Sequence, residues 1–469
     1  MPPLPTADKL APFQRAMEFT TAPPAVAKAP ATRSPFGKNA SANTVPCRRC
    51  CALAGVCRTL VAVTAQQFVL GIGRALHALG SPSYRIEDAM DACCRTLGLE
   101  GSFFSTPTAI FASLGERGGP QATTLIRVQP GDIDLGRLAE LYAVRDAVLR
   151  GGTSPADGLR AIEATLAAEG RHGRVGDAIA HGLGAAGAGV LFGGGALEVA
   201  FAAAAGLLVG CLAFASRLRP GLGDVQATLA CAIVAFLVHM AAAKGVAVDP
   251  TVSTVAAIVV LLPGLSFTTA LAELAMRHLA SGSARLLGAS AVLLTMAIGV
   301  GIGDRAAGIL FGSATAVAAS PLPAPWLAAG LLATWGAYVV LLRATRRQAG
   351  WVLLAVVVGF GGAKWAGEAF GREVGAFVAA VLVAVAANLF ARLRRRPAAI
   401  VRTPGLLVLV PGSLGFRGMT TAFADSAASV PFLLQMLLVG GAIVAGLLIA
   451  GALLPPPLDV EPDSRLRAR

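Results

Sequence analysis

The chain has 469 residues, of which 55% are hydrophobic and only 14% are charged. An average soluble protein carries about 25% charged residues, so too few charges remain to cover a soluble protein of this size. The aliphatic content excludes a disordered chain, and the 55 glycines follow no three-residue period, which excludes collagen. The composition predicts an α-helical polytopic membrane protein whose helices pack through small residues.

The net charge is +13, and eight cysteines are present. Nucleic acid, anionic lipid or the positive-inside rule could each account for the charge, and its distribution decides between them. A C-x-x-C pair at Cys47 and Cys50, with Cys51 and Cys57 nearby, contains enough thiols for zinc. Reduced or lipidated thiols are the favoured interpretation, because the flanking sequence resembles a disordered tail. No metal and no cofactor is therefore expected.

Residues 1–59 are predicted to be a disordered basic tail. This segment is rich in Pro, Ala, Ser and Thr and carries +6 of the net charge. It contains no continuous apolar core of the length that a secretory signal needs. We therefore expect the N-terminus to lie in the cytoplasm, with the tail close to membrane lipid.

Residues 60–172 are predicted to form a small cytoplasmic α+β domain. Helical spacing runs from Thr64 to Gly80, and a second helix is expected from Ser83 to about Leu97. Residues 109–112 and 123–128 have the composition of strands. Two more helices are expected over 132–149 and 154–168.

After residue 173 the chain becomes almost continuously apolar. A membrane span needs about 20 residues, and ten apolar segments come close to that length. They lie near 178–194, 196–215, 225–243, 252–275, 285–303, 325–343, 349–363, 374–391, 399–415 and 431–453.

The basic residues between these segments predict the topology. With the N-terminus inside, the loops assigned to the cytoplasm carry twelve arginines, whereas the opposite loops carry five lysines or arginines. The positive-inside rule then favours ten spans with both termini in the cytoplasm. The charge is therefore mainly a topological signal, and no nucleic-acid partner is expected.

Two of the apolar segments contain the same interruption. The fourth has Pro263 and Gly264, and the ninth has Pro411 and Gly412. Because five is an odd number, two successive five-helix units would have opposite orientations. We therefore predict inverted repeats over 173–305 and 306–454, followed by a cytoplasmic tail over 455–469. Matched broken helices mark the binding site in secondary transporters, although a plain proline kink is the alternative.

Three ionisable residues lie in or near the apolar segments. Glu273 and Glu198 are candidates for proton coupling, because charge at membrane depth is costly and usually functional. His239 is a third candidate, with a hydrogen-bonded packing role as the alternative. Glu273 could instead lie at the cytoplasmic interface beside Arg277.

Several motifs resemble those of the threonine/serine exporter family. The N-terminal signature is similar over 77–87, over 97–99 and over 103–108, and it includes Arg85, Glu87, Ser105 and Thr108. Similar motifs occur over 262–264 with Glu273, over 281–286 and over 411–413. The resemblance covers roughly residues 65–450.

This resemblance implies an inner-membrane secondary exporter with a cytoplasmic domain and about ten helices. It implies efflux of L-threonine and L-serine driven by the proton-motive force. The broken helices and nearby hydroxyls would bind the amino acid, through Pro263, Gly264, Thr268, Thr269, Pro411, Gly412 and Ser413. The four signature residues of the domain have either a functional or a purely structural role.

Other functions stay open at this level. Split relatives of the family are associated with dicarboxylate export, and Arg417 is the candidate cation near a broken helix. A membrane-anchored hydrolase would need a nucleophile elbow or a metal triplet, and the sequence contains neither. A sensor domain that gates transport is the third class. No catalytic residue is assigned, and the oligomeric state is open, with a homo-oligomer among the options.

Overall fold

The computed structural model describes residues 64–168, 172–313, 317, 319–422 and 426–455. The predicted basic tail with its first four cysteines lies outside the described residues, as does nearly all of the predicted C-terminal tail. The protein is mostly helical, with one small antiparallel sheet near the start of the described chain.

The described chain begins with two helices and a three-stranded meander. Helix α1 spans 64–78 and α2 spans Ser83–Leu97. Gly80 closes α1 with φ of +71°, where a Cβ would lie 3.0 Å from the Gly131 carbonyl oxygen. Strands β1 (Leu99–Thr106), β2 (Ala109–Glu116) and β3 (Gln121–Arg127) pair in that order.

The sheet has one buried and one exposed apolar face. Ile110 pairs with Ile126, and both are buried against α1 and α2. On the other face, Phe104 pairs with Phe111, and both rings are exposed. The predicted strands β2 and β3 are confirmed, whereas β1 was not predicted.

Two further helices complete the N-terminal domain. Helix α3 covers Leu135–Leu149 and is capped by Asp134, and α4 covers Pro155–Ala167 and is capped by Ser154. Both side chains accept a hydrogen bond from a backbone amide of the first turn, which satisfies an otherwise free donor. The core formed with α1 and α2 includes Phe68, Ile72, Met90, Leu141 and Ile162, all less than 3% exposed.

The remaining helices form two sets that follow one another along the chain. The first set comprises α5 (Arg174–Leu191), α6 (Ala196–Leu218), α7 (Gln226–Ala243), α8 (Pro250–Ala257), α9 (Gly264–Ala275) and α10 (Leu279–Phe311). The second set comprises α11 (Pro325–Leu341), α12 (Arg346–Phe370), α13 (Arg372–Arg394), α14 (Ala399–Leu409), α15 (Gly412–Ala422) and α16 (Ser426–Leu453).

Seven of the described helical segments are long and apolar enough to cross a membrane. The pair α8 and α9, bent by 52°, makes an eighth if it counts as one span. Two further apolar helices, Val175–Leu191 and Pro325–Leu341, are shorter than the roughly 20 residues that a membrane span needs. The protein is therefore a multi-pass membrane protein. The count of ten spans stays a prediction that depends on those two short helices.

Helix α10 is longer than the sequence predicted. It has 33 residues, so Arg285 and Asp304 lie within the helix rather than in connecting segments. Lys364 and Arg417 likewise lie within α12 and α15 rather than in loops. Arg285 pairs with the buried Glu273, whereas Asp304 and Lys364 are exposed on their helices.

The first helix of each set ends in the same kind of turn. After α5, Gly193 has φ of +80°, and the amide of Gly194 donates to the carbonyl of Gly189. After α11, Arg343 has φ of +51°, and the amide of Ala344 donates to the carbonyl of Val339. These matched turns favour a repeated unit. That the two units have opposite orientations stays a prediction.

Candidate substrate pathway at two broken helices

The first broken helix is interrupted at the predicted Pro-Gly step. A short 3-10 turn, Val259–Leu261, follows α8, and Leu262 is extended with φ of −63° and ψ of 126°. Pro263 then precedes α9, which begins at Gly264. Proline cannot donate a backbone hydrogen bond, so the helix ends before it and starts again after it.

The second broken helix is interrupted at its own Pro-Gly step, without a preceding 3-10 turn. Helix α14 ends at Leu409, and Val410 is extended with φ of −60° and ψ of 131°. Pro411 follows, and α15 begins at Gly412. The φ and ψ angles of Leu262 and Val410, the residues before the two prolines, therefore agree within a few degrees.

The two interruptions are in direct contact. A Cβ added to Gly264 would lie 1.9 Å from Val410 Cγ1, and one added to Gly412 would lie 3.2 Å from Gly264 Cα. Only the missing side chains allow so close an approach. The structure thus brings Pro263, Gly264, Pro411 and Gly412, which the sequence analysis singled out, to one place.

A cavity of about 1240 Å³, here called the central cavity, lies along this contact. Gly264, Ser266, Gly412 and Ser413 line it at the breaks. Helices of both sets supply further polar side chains, among them His181, Thr334 and Tyr338. Five charged residues among those described also line the cavity: Asp132, Asp177, Arg217, Arg343 and Lys364. The cavity therefore combines an apolar wall with polar and charged groups near two freed helix ends.

Thr268 and Thr269 do not line the central cavity. Both line a separate cavity on the other side of α9, and Thr268 Oγ1 donates to the Gly264 carbonyl at 3.2 Å. Ser266, which the sequence analysis missed, lines the central cavity instead. Residues two apart on a helix lie on opposite sides, so Ser266 and Thr268 face different cavities, and helical spacing from Gly264, which favours Thr268, gave no signal for Ser266.

A third cavity, here called the Arg417 cavity, adjoins the second break. Its volume is about 700 Å³, and Pro411 and Ser413 line it together with Lys364, Arg372 and Arg417. Arg417 Nε is buried and has no hydrogen-bond partner among the described residues. Glu368 is the one carboxylate among the described lining residues. The surroundings of this cavity are therefore positively charged.

Glu273 is completely buried and accepts four hydrogen bonds. Ser83 N and Ser281 Oγ donate to it at 2.9 Å each, and Arg285 donates from Nε at 3.1 Å and from Nη2 at 3.2 Å. Because Ser83 begins α2 of the N-terminal domain, Glu273 connects that domain to the first helix set. Neither Ser83 nor Arg285 was predicted as its partner.

Two of the four signature residues support the same contact. Glu87 accepts a hydrogen bond from Ser105 N at 2.7 Å and lies 3.6 Å from His278 Nδ1, at the end of the first broken helix. Burial raises the pKa of Glu87, and the nearby His278 opposes that rise. Arg85 lines the cavity beside Thr268, and Thr108 lies in the turn between β1 and β2.

The N-terminal domain also contacts the second set. The amide of Leu135 donates to the Leu342 carbonyl at 2.9 Å, and Gln348 Nε2 donates to the Leu135 carbonyl at 3.1 Å. Asp134 lies 3.9 Å from Arg343. The start of α3 is therefore held by the turn between α11 and α12.

Glu198 caps a helix rather than facing the central cavity. It accepts from Gly195 N and from Asp249 N, at 2.9 Å each, and is 4% exposed. At the equivalent position of the second set, Gln348 accepts from Thr345 N at 2.7 Å. His239 is remote from the breaks, with Nε2 3.2 Å from the Gly312 carbonyl and Nδ1 3.8 Å from Asp304.

Two protein-family profiles together match most of the chain. The profile of the ThrE threonine/serine exporters matches residues 67–305, and a second profile, "Threonine/Serine exporter, ThrE", matches 327–453. The chain belongs to the threonine/serine exporter family. The first match contains the N-terminal domain and the first broken helix, and the second contains the other broken helix.

Curated relatives are fungal membrane proteins. "Pheromone-regulated membrane protein 10" of Candida albicans (strain WO-1) is 26% identical over 379 residues, which is 76% of this chain and 34% of that protein. The protein of the same name from Saccharomyces cerevisiae (strain YJM789) is 23% identical over 423 residues, 83% of this chain and 54% of that protein. This chain thus spans a third to a half of their length. No solved structure matches the chain.

Proposed function

We propose that the protein is a secondary-active exporter of the small hydroxy amino acids L-threonine and L-serine, coupled to the proton-motive force. The observation that carries the proposal is the contact between the two Pro-Gly breaks beside the central cavity. Membership of the exporter family supports transport as the activity.

The chemistry of the breaks suits a zwitterion. Helices α9 and α15 begin at Gly264 and Gly412, and free amides at a helix N-terminus attract a carboxylate. The helix segments before the breaks end in free carbonyls, which accept from an ammonium group. Ser266 and Ser413 line the same cavity and offer partners for the substrate hydroxyl.

The proposed transport cycle follows from the two helix sets. Ten helices in two inverted units, with both termini in the cytoplasm of the cell membrane, would let one unit rock against the other about the breaks. We place proton coupling at Glu273, because its carboxylate is completely buried and its donors come from two parts of the protein. Glu198 and His239 are the other candidates.

A dicarboxylate is the second candidate substrate. Lys364, Arg372 and Arg417 line the cavity that adjoins Pro411 and Ser413. Cationic side chains beside a break favour a substrate with two carboxylates over a zwitterion. The Arg417 cavity is the specific observation for this alternative.

Efflux from preloaded proteoliposomes tests both candidates. Threonine, serine and succinate are compared with and without a proton gradient, in the natural protein and in the Ser413→Ala and Arg417→Gln variants. The proposal expects gradient-dependent threonine and serine efflux that Ser413→Ala lowers about fivefold, the worth of one hydrogen bond between two neutral hydroxyl groups. Ser283→Ala, at an exposed position of α10, is the control.

Succinate efflux that falls with Arg417→Gln, without efflux of threonine or serine, would instead establish the second candidate. If none of the three solutes moves faster than from liposomes without protein, the exporter proposal fails for all of them.

A further inference from the structure

The cavity on the other side of α9 is lined by arginines from two parts of the protein. Its volume is about 560 Å³, and it lies between the N-terminal domain and the second helix set. The domain contributes three arginines, and the second set contributes four more between the end of α13 and the first turn of α14: Arg85, Arg145, Arg150, Arg392, Arg395, Arg396 and Arg402. This space is called the arginine cavity below.

Negative charge in the arginine cavity is scarce. Asp146 is the one carboxylate among its described lining residues, and Arg145 already binds it at 2.8 Å. The guanidinium of Arg402 makes no hydrogen bond or ion pair with any residue that the structure describes, although it lies in an apolar helix. Like charges that face each other away from bulk water repel, so this arrangement calls for an anion.

Membrane topology explains only part of this arrangement. The positive-inside rule accounts for arginines at the ends of membrane helices, such as Arg395 and Arg396. It does not account for Arg85 and Arg150, which belong to the N-terminal domain and line the same cavity. Two groups of arginines from separate elements therefore converge on one space.

The chemistry of the cavity favours phosphate groups. A guanidinium binds phosphate through two parallel hydrogen bonds, and several guanidinium groups select an anion with more than one negative charge. The Tyr142 ring lies 4.5 Å from the Arg145 guanidinium, and the Tyr84 ring lies 5.8 Å from that of Arg85. These rings hold both arginines in place through cation–π contacts. The volume falls within the range of small-molecule sites, about 300–1,000 Å³.

We propose that the arginine cavity binds a phosphate-bearing anion, from either a soluble phosphorylated molecule or the headgroup of an anionic phospholipid. Such an anion would join the N-terminal domain to α14. Because α14 leads directly to the break at Pro411, an anion in the arginine cavity would bias the conformations of the second broken helix. The proposal does not depend on which solute the protein carries.

Binding to the full chain in nanodiscs of phosphatidylcholine tests the proposal. Inorganic pyrophosphate is the soluble probe, and calorimetry and the melting temperature are the measurements. Arg402→Gln and Arg150→Gln remove one cation from each side of the cavity, and each is expected to weaken binding about tenfold or more. Arg347→Gln, at an exposed arginine that does not line the cavity, is the matched control with wild-type binding expected.

A second set of nanodiscs distinguishes the two sources. These contain phosphatidylglycerol, and the melting temperature is compared with that in phosphatidylcholine alone. If only the anionic lipid raises the melting temperature, and Arg402→Gln and Arg150→Gln abolish that rise, the ligand is a headgroup. The proposal is overturned if neither probe stabilises the protein, or if both variants respond as Arg347→Gln does. Arg150 is exposed, so its variant keeps the test valid should Arg402→Gln not fold.

Discussion

The first and second broken helices have matching backbones at Leu262 and Val410 but different neighbours. The first continues to Glu273, which binds Ser83 of the N-terminal domain and Arg285 of α10. The second continues to Arg417, which lines a cavity with Lys364. Similar Pro-Gly breaks thus have different neighbours. One is anchored to the domain, and the other adjoins positive charge.

The domain is nevertheless held by both sets. Glu273 binds it from the first set, and Leu342 and Gln348 bind it from the second. In the transport cycle proposed above, movement of one set relative to the other would change these contacts.

The largest expected effect comes from the anchor of the first break. Glu273→Gln leaves the cation of Arg285, whose side chain is 17% exposed, without its counter-charge. Breaking a buried ion pair in this way costs about 3 kcal/mol, so the melting temperature should fall clearly. Among the described residues the second break has no such anchor, and Arg417→Gln should leave the melting temperature nearly unchanged.

A double variant separates the structural role of Glu273 from its proposed part in coupling. Glu273→Gln combined with Arg285→Met removes both charges and should regain much of the lost stability. Gradient-dependent efflux should stay absent, because the titratable group is gone. A double variant that regained both stability and gradient dependence would contradict the coupling role. A single variant with unchanged melting temperature would contradict the anchor.

The contact between the breaks gives the second prediction. Gly264→Ala places a Cβ 1.9 Å from Val410 Cγ1, whereas Gly412→Ala places one 3.2 Å from Gly264 Cα. Overpacking costs about 1–3 kcal/mol, so the first variant should lower stability and efflux more than the second. Val410→Ala in the Gly264→Ala background should restore efflux, because it removes the clashing methyl group.

Gly301→Ala is the control for this pair, since nothing lies within 4 Å of a Cβ there. If Gly264→Ala and Gly412→Ala behaved alike, and Val410→Ala gave no recovery, the breaks would not be in contact in the working protein.

Sequence patterns predicted the parts of the fold that depend on a single helix or strand. Apolar length located seven or eight of the ten predicted membrane segments among the described residues, and the Pro-Gly steps at 263–264 and 411–412 located both breaks. Strand β1 was missed because Gly101, Ser102 and Ser105 weaken its apolar alternation.

The site was less predictable, because it depends on contacts between distant parts of the chain. The sequence suggested Thr268 as a substrate ligand, but the turn of α9 directs Ser266 into the central cavity instead. Likewise, Glu273 was recognised as an unusual charge, yet its binding to Ser83 requires the domain to dock on the helices. Periodicity locates a residue on its helix and leaves the residue's partners on other elements open.

The smallest expected effect concerns Glu198, and it separates a helix cap from a proton carrier. The second set uses Gln348 for the equivalent bond to Thr345 N, so an amide oxygen is sufficient for capping. Glu198→Gln should keep the bonds from Gly195 N and Asp249 N and change stability by less than about 1 kcal/mol. Its efflux should depend on the proton gradient as the natural protein's does, whereas Glu198→Ala loses the cap and should be less stable. If Glu198→Gln kept its melting temperature but lost gradient dependence, coupling would lie at Glu198. The two sets would then differ at this cap, where only Glu198 can take up a proton, as well as in the neighbours of their breaks.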